Sequence, residues 1–360
     1  MKATQALHDR GQSIWLDNIS RGMLDDGQLQ TYIDTYSVTG LTSNPSIYDN
    51  AVSTGEYDRD IENLRGGERS AEEVFFDLAI RDLQRAADLF AGIHRRTAGV
   101  DGWVSLEVSP LLAYDTARTV DAAVEMFARA NRSNLFVKIP GTSEGLAAVE
   151  ECVFAGVPVN VTLLFDAVQY AGAAEAYLRG IERRISAGLD PAVASVASVF
   201  ISRWDTAIVD AVSDPLKNKL GLTIGRQVYR AYRDVMESPR FQTIQNSGAR
   251  MQRLLWASTK TKDPAESDTL YVRGLVAPFT INTMPDATLA ALFADGNIGT
   301  SLARDGGDSS VQIEHFTQEG VDTATLADKL QMDGATSFAK AWSSLLARID
   351  AQLTIARGNL

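Results

Sequence analysis

About eight times along this chain a short apolar run gives way to a longer stretch with helical spacing, and this alternation restricts the fold more than any other feature. The runs occupy 13–17, 36–45, 103–108, 134–142, 156–165, 195–203, 253–260 and 276–283. In the run at 156–165, Val157, Val159 and Val161 alternate with Asn160 and Thr162, the period of an extended strand. Pro45 holds Asn44 extended and stops the second run, while Pro278 makes the eighth the least regular. Ser70-Ala71-Glu72-Glu73 has the form of a capping box and leads an amphipathic helix through Val74, Leu78, Leu83, Ala87 and Phe90 to about residue 93. Further helices are predicted over 21–36, 116–130, 146–154, 166–186 with Gly188 as C-cap, 286–295 with Gly296 as its stop, and from about 334 to 357. Sequence from 204 to 245 is largely helical, and 298–332 has no assignable pattern.

Alternating strands and helices build parallel βα units, and this many of them favour a closed (β/α)8 barrel forming a single domain over 1–360. The alternative, a doubly wound open sheet, needs a glycine fingerprint in its first turn. Leu16-Asp17-Asn18-Ile19-Ser20 has none.

A formal charge of −12 argues against nucleic-acid and membrane-surface partners, both of which require a cationic face. An anionic ligand must then be held by a local cluster. The one cysteine, Cys152, excludes an internal disulfide. The chain opens on nothing resembling a secretory signal, and no apolar run is long enough to cross a bilayer. These features point to a reducing, cytoplasmic location. His8, His94 and His315 are far apart and share no metal-ligand spacing, so no metal is expected. Oligomeric state is not written in any of these patterns.

In a barrel of this kind the active site lies at the C-terminal ends of the strands. The polar residues there are Asp17, Asn44, Glu107, Lys138, Thr162, Ser202 and Ser258. Lys138 interrupts the apolar run Leu135-Phe136-Val137-Lys138-Ile139. A lysine is rarely buried without a partner, and burial favours its neutral amine. It is thus either a nucleophile or half of an ion pair with Asp17 or Glu107. Schiff-base chemistry, with its several proton transfers, is what calls for so many polar groups at one mouth. Trp103 and Ser105 share a face with Glu107, an apolar setting that raises its pKa. Asn160 and Thr162 have the simpler option of satisfying backbone groups, and Asp17 that of capping the next helix. Arg203, Ser258 and Lys260 form either a solvated rim or a phosphate site; their grouping on neighbouring strand ends favours phosphate.

On Trp15-Leu16-Asp17, Gly40-Leu41-Thr42-Ser43-Asn44-Pro45-Ser46, Val104-Ser105-Leu106-Glu107-Val108, Phe136-Val137-Lys138-Ile139-Pro140, Val159-Asn160-Val161-Thr162-Leu163-Leu164-Phe165 and Asn282-Thr283-Met284-Pro285, the sequence resembles the transaldolase family. The resemblance runs from about 13 to 295 and more loosely to the last helix. It implies a cofactor-free barrel enzyme of the pentose phosphate pathway acting on sugar phosphates. Lys138 matches the Schiff-base lysine and Asp17 the carboxylate that takes the C4 hydroxyl proton. Glu107 and Thr162 match a pair that positions water. Asn44, Asn160 and Ser202 match residues that hold the dihydroxyacetone unit, and Ser258 a phosphate-binding serine. The pattern departs in two places: Lys260 stands where an arginine is frequent, and Arg203 follows Ser202 directly instead of a few residues later. A related aldolase that releases dihydroxyacetone, and a non-catalytic sugar-phosphate-binding barrel, are the alternatives.

Overall fold

Short strands buried on both faces dominate the centre of the molecule, seen in a computed structural model that describes residues 2–64 and 69–355. They are β1 (Ser13–Asp17), β2 (Val38–Thr42), β3 (Trp103–Glu107), β4 (Leu135–Pro140), β5 (Val159–Leu164), β6 (Ser195–Phe200), β7 (Gln252–Ala257) and β8 (Thr280–Met284). Every neighbouring pair is parallel, and β8 returns to β1 to close a (β/α)8 barrel in strand order. Helices cover the outside, which is why the outward positions are as apolar as those of a two-sided core. Inside, Trp15, Trp103 and Phe136 fill the lower part of the barrel, with the Trp103 and Phe136 rings stacked at 4.1 Å. Above them Asn160 donates to Ser105 Oγ at 3.2 Å and accepts from Ser198 Oγ at 2.6 Å, so a polar bridge crosses the interior from β3 to β6.

Several strands are shorter than the sequence suggests, because the polar residue expected at the strand end instead starts the next element. Asn44 lies beyond β2 as the N-cap of the helix Pro45–Ser53 and accepts from the Ile47 N–H at 3.1 Å. Ser202 and Arg203 occupy the first turn of the helix Ser202–Ile208, and Ser258 and Lys260 lie in the loop after β7. β8 begins at Thr280 because Phe279, just before it, has a left-handed backbone (φ 62) that no strand accommodates.

The helix expected over 21–36 is two, Arg21–Asp25 and Gln28–Tyr36, separated at Gly27 with φ 77. Within 298–332 there is a helix, Ser309–Gln318, and the C-terminal helix starts at Thr323, well before 334, and runs to Ile355. Its expected end at 357 lies outside the described residues. Gly334 is therefore not a boundary. It is where this helix presses on the barrel, since a Cβ there would meet Leu163 at 2.9 Å and Arg203 Nη1 at 3.1 Å. Gln331 on the same helix donates to the carbonyls of Gly141 and Leu163, both at 3.0 Å. Among the described residues no helix is long and apolar enough to cross a membrane.

A similar close approach occurs inside the barrel at Gly40, where an added Cβ would lie 2.7 Å from the Trp15 indole and from the Trp103 carbonyl. Gly40→Ala is expected to destabilise the protein by about 1–3 kcal/mol, the usual cost of overpacking a core. Calorimetry would register this as a lowered Tm, and an unchanged Tm would mean that the Trp15 ring has room to retreat.

Candidate active site

Parallel register brings the central groups together. Glu107 lies opposite Lys138 across β3 and β4, and Lys138 lies opposite Asn160 across β4 and β5. Lys138 Nζ donates to the Ser43 carbonyl at 3.2 Å and stands 3.5 Å from Glu107 Oε2, with 4% of the residue exposed. Of the two carboxylates expected near it, Glu107 is the ion-pair partner. The pair is a poor structural staple, because among the described residues neither Glu107 oxygen has a further hydrogen-bond donor and a buried pair without such support contributes little stability.

Burial pushes Glu107 up to about 7 against the pull of Lys138, with Asp17 adding to the rise. Asp17 is likewise raised by burial, which outweighs the opposing effects of Lys138 and of the hydrogen bond from Thr42 Oγ1 at 2.8 Å. Thr42 Oγ1 also contacts Thr283 Oγ1 at 2.8 Å. Asp17 does not cap the following helix; Ser20 does, through the Met23 N–H. Thr162 Oγ1 is fully buried with no partner among the described residues. The register of β5 against β6 shifts between Val161 and Leu164, around Thr162, with Leu163 left-handed at φ 58, and pairing resumes at Leu164 with Val199.

Above the lysine is a cleft of ≈ 220 Å³, with Asp17, Asn44 and Lys138 at one end and Arg203, Ser258 and Lys260 at the other. Phe338 of the C-terminal helix spans the two ends, its ring centre 5.8 Å from Lys138 Nζ and 5.9 Å from the Arg203 guanidinium. Glu107 and Asn160 flank the lysine on β3 and β5, with Thr162 two residues beyond Asn160, and none of the three lines the cleft itself. Ser202 does not face the cleft; it is completely buried, with Oγ 2.9 Å from Ser258 Oγ. The β6 serine on the cleft surface is Ser198, one turn of the pleat before Phe200.

Sequence reasoning also missed Lys262, which lines the same end of the cleft. Burial lowers its pKa first, and the nearby charges of Lys260 and Arg203 lower it further. Arg203 is itself lowered by burial between the Phe200 and Phe338 rings. Arg203 is half-buried and Lys260 and Lys262 are exposed, so three cations share the lining of one cleft, where an anion would relieve their mutual repulsion. The signal for Lys262 was the alternation Thr259-Lys260-Thr261-Lys262. Among the described residues no group of three or more histidine, cysteine, aspartate or glutamate side chains is placed to hold a metal ion.

A barrel with a lysine between carboxylates at its C-terminal mouth, facing a cationic pocket, defines a class, and the chain's relatives place it there. Residues 14–349 match the model of the transaldolase/fructose-6-phosphate aldolase family, and the chain belongs to that family. It is similar in particular to proteins named transaldolase: that of Thiobacillus denitrificans is 43% identical over 97% of this chain and 100% of its own length. The transaldolases of Saccharopolyspora erythraea and Mycolicibacterium smegmatis are 41% and 40% identical, each over 98% of both chains.

Two outcomes follow from these electrostatics. Because folding lifts the Glu107 pKa from 4.5 to about 7, the folded state holds this proton more tightly than the unfolded chain. Its contribution to stability is fully present below pH 4.5 and is lost as pH rises through about 7. Glu107→Gln should flatten that fall in Tm; parallel wild-type and variant profiles would show that Glu107 does not titrate there. At the other end of the cleft, Lys262→Ala should weaken inorganic phosphate binding by roughly tenfold or more, on the basis of about 1.5–3 kcal/mol for a charged hydrogen bond. Isothermal titration calorimetry reads this directly, and unchanged affinity would remove Lys262 from the anion site.

Proposed function

We infer that this protein is a transaldolase, moving a dihydroxyacetone unit from a ketose phosphate such as sedoheptulose 7-phosphate or fructose 6-phosphate to an aldose phosphate such as glyceraldehyde 3-phosphate or erythrose 4-phosphate. The observation that carries this reading is Lys138, buried beside a carboxylate at one end of a cleft whose other end holds three cations. The Lys138 amine attacks the ketose carbonyl, and the carbinolamine loses water to give a Schiff base. Asp17 then takes the C4 hydroxyl proton as the C3–C4 bond breaks, and the bonding electrons flow into the iminium. The aldose leaves, and the remaining enamine attacks the acceptor aldehyde before hydrolysis frees the lysine. Glu107, with its pKa pushed up to about 7, is suited to pass protons in both directions, and Thr162 Oγ1 is available to position the water.

Asn44, Asn160 and Ser198 hold the dihydroxyacetone unit in this scheme, with Ser198 in place of Ser202. That exchange also removes one of the departures seen in the sequence, since Arg203 then follows the β6 serine by a few residues, as in the family. Arg203, Ser258, Lys260 and Lys262 bind the phosphate, the two lysines acting as point charges where a bidentate arginine is more usual. No cofactor enters the scheme. We also read residues 1–360 as one domain, located in the cytoplasm.

Incubation with fructose 6-phosphate and borohydride, followed by peptide mass spectrometry, should place a reduced three-carbon adduct on Lys138. Lys138→Ala should form none and lose transfer while keeping the wild-type circular dichroism. An adduct on another lysine, or transfer surviving in the variant, would overturn the mechanism. Release of free dihydroxyacetone without an acceptor would instead favour the aldolase reaction.

A further inference from the structure

At the opposite end of the barrel, where the strands begin, lies a second cavity of ≈ 480 Å³, more than twice the ≈ 220 Å³ of the catalytic cleft. Its base is the stacked pair Trp103 and Phe136. One wall carries Arg253, 7% exposed, which donates to the carbonyls of Val100 and Thr280, both at 2.9 Å, and to Ser13 Oγ at 2.7 Å. Ser13 in turn donates to Asp101, whose carboxylate also accepts from Trp15 Nε1 at 2.7 Å and Thr39 Oγ1 at 2.8 Å. Asp101 is thus satisfied by neutral donors. Among the described residues no carboxylate forms an ion pair with Arg253 or with Arg250, which lies at the entrance and donates to the Ala98 carbonyl at 2.8 Å. A guanidinium has more N–H donors than these contacts use, and burying one without an anion is costly.

A purely structural role for the lower network accounts for the link from Arg253 through Ser13 to Asp101, since polar groups at this end of a barrel ordinarily serve stability. It does not account for the open volume or for the rim. Val100 and Phe279 are 54% and 52% exposed there. Phe279 is held left-handed by an N–H bond to the Gly11 carbonyl and by the Tyr232 hydroxyl on its own carbonyl, a conformation that costs about 1–3 kcal/mol in a bulky residue. The cavity volume falls within the ordinary range for small-molecule sites, and its apolar lining with one buried cation matches their usual composition.

We propose that this cavity is a second binding site, for an organic monoanion with a flat apolar body. The body lies along Trp103 and Phe136 beneath Phe279, and the acid group meets Arg253, with Arg250 at the entrance. Arg253 and Arg250 outnumber the lining carboxylate Asp101, whose oxygens are taken up by Ser13, Trp15 and Thr39, so in a chain of net charge −12 the cavity keeps a local positive excess that attracts anions. The ligand is unlike the sugar phosphates of the upper cleft, and no residue lines both spaces.

The probe for the test is 8-anilinonaphthalene-1-sulfonate, titrated by fluorescence into the folded wild-type protein. Saturable binding at one equivalent is expected, undiminished by saturating fructose 6-phosphate and at least tenfold tighter than that of the neutral N-phenyl-1-naphthylamine. Because Arg253→Gln also removes a buried scaffold contact, Val100→Glu carries the mutational test. It sets a carboxylate on an exposed rim position and should weaken the probe at least tenfold with sugar transfer unchanged. Displacement by fructose 6-phosphate would put the probe in the catalytic cleft and overturn the proposal. So would equal affinity for the neutral amine, or unaltered binding to Val100→Glu.

Discussion

Everything at the upper mouth depends on holding an ammonium and a carboxylate side by side in a space from which water is largely excluded. Parallel pairing of β3 with β4 sets Glu107 against Lys138, and the strands on either side supply neutral hydroxyl and amide groups. At Glu107 burial favours the uncharged form, while the attraction of Lys138 favours the carboxylate. Neither influence overwhelms the other at Glu107, whose pKa settles near neutrality. A carboxylate locked by several backbone donors would be held far lower and would be a poor proton carrier. Among the described residues no backbone or neutral side-chain donor reaches a Glu107 oxygen, so Lys138 is the main influence opposing burial there.

The barrel separates this balance from the task of recognition. Lys138 and its neighbours stand on strands, whose positions are fixed by pairing on both sides. The cationic end of the cleft is built from the first turn of a helix and from the loop after β7. Positional tolerance differs accordingly in general: proton transfer requires atoms at hydrogen-bond distance, whereas attraction of an anion to a point charge tolerates modest displacement. Phe338 ties the two ends together by packing over both.

Much of this was legible in the chain itself. Ser13–Asp17, Thr116–Ala130 and Asp286–Asp295 begin and end where the sequence indicates; the two helices do so because Asp115 and Pro285 start them and the left-handed Asn131 and Gly296 stop them. Lys138, Asp17, Glu107 and the cations Arg203 and Lys260 were visible as polar interruptions at the ends of apolar runs. Ser198 was not, because a serine in mid-strand looks the same whether it faces the barrel interior or a helix; only its bond to Asn160 distinguishes the two. Ser202 was misplaced by extending β6 past Phe200, where the chain had already turned into a helix. Phe338 and Gln331 escaped notice for a different reason: their partners are far away in sequence, and no local period records a helix folding back over the mouth of the barrel.

That return has a temporal side. Lys138 is in place once its strand has paired, but closure of the barrel requires β8 to reach β1, and the cover over the lysine comes from Phe338, later still. Contacts between segments so far apart form only after much of the chain has been synthesised and ordered. A growing polypeptide therefore carries Lys138 for some time with neither its roof nor its closed wall. The shelter over Lys138 is completed as one of the last acts of folding.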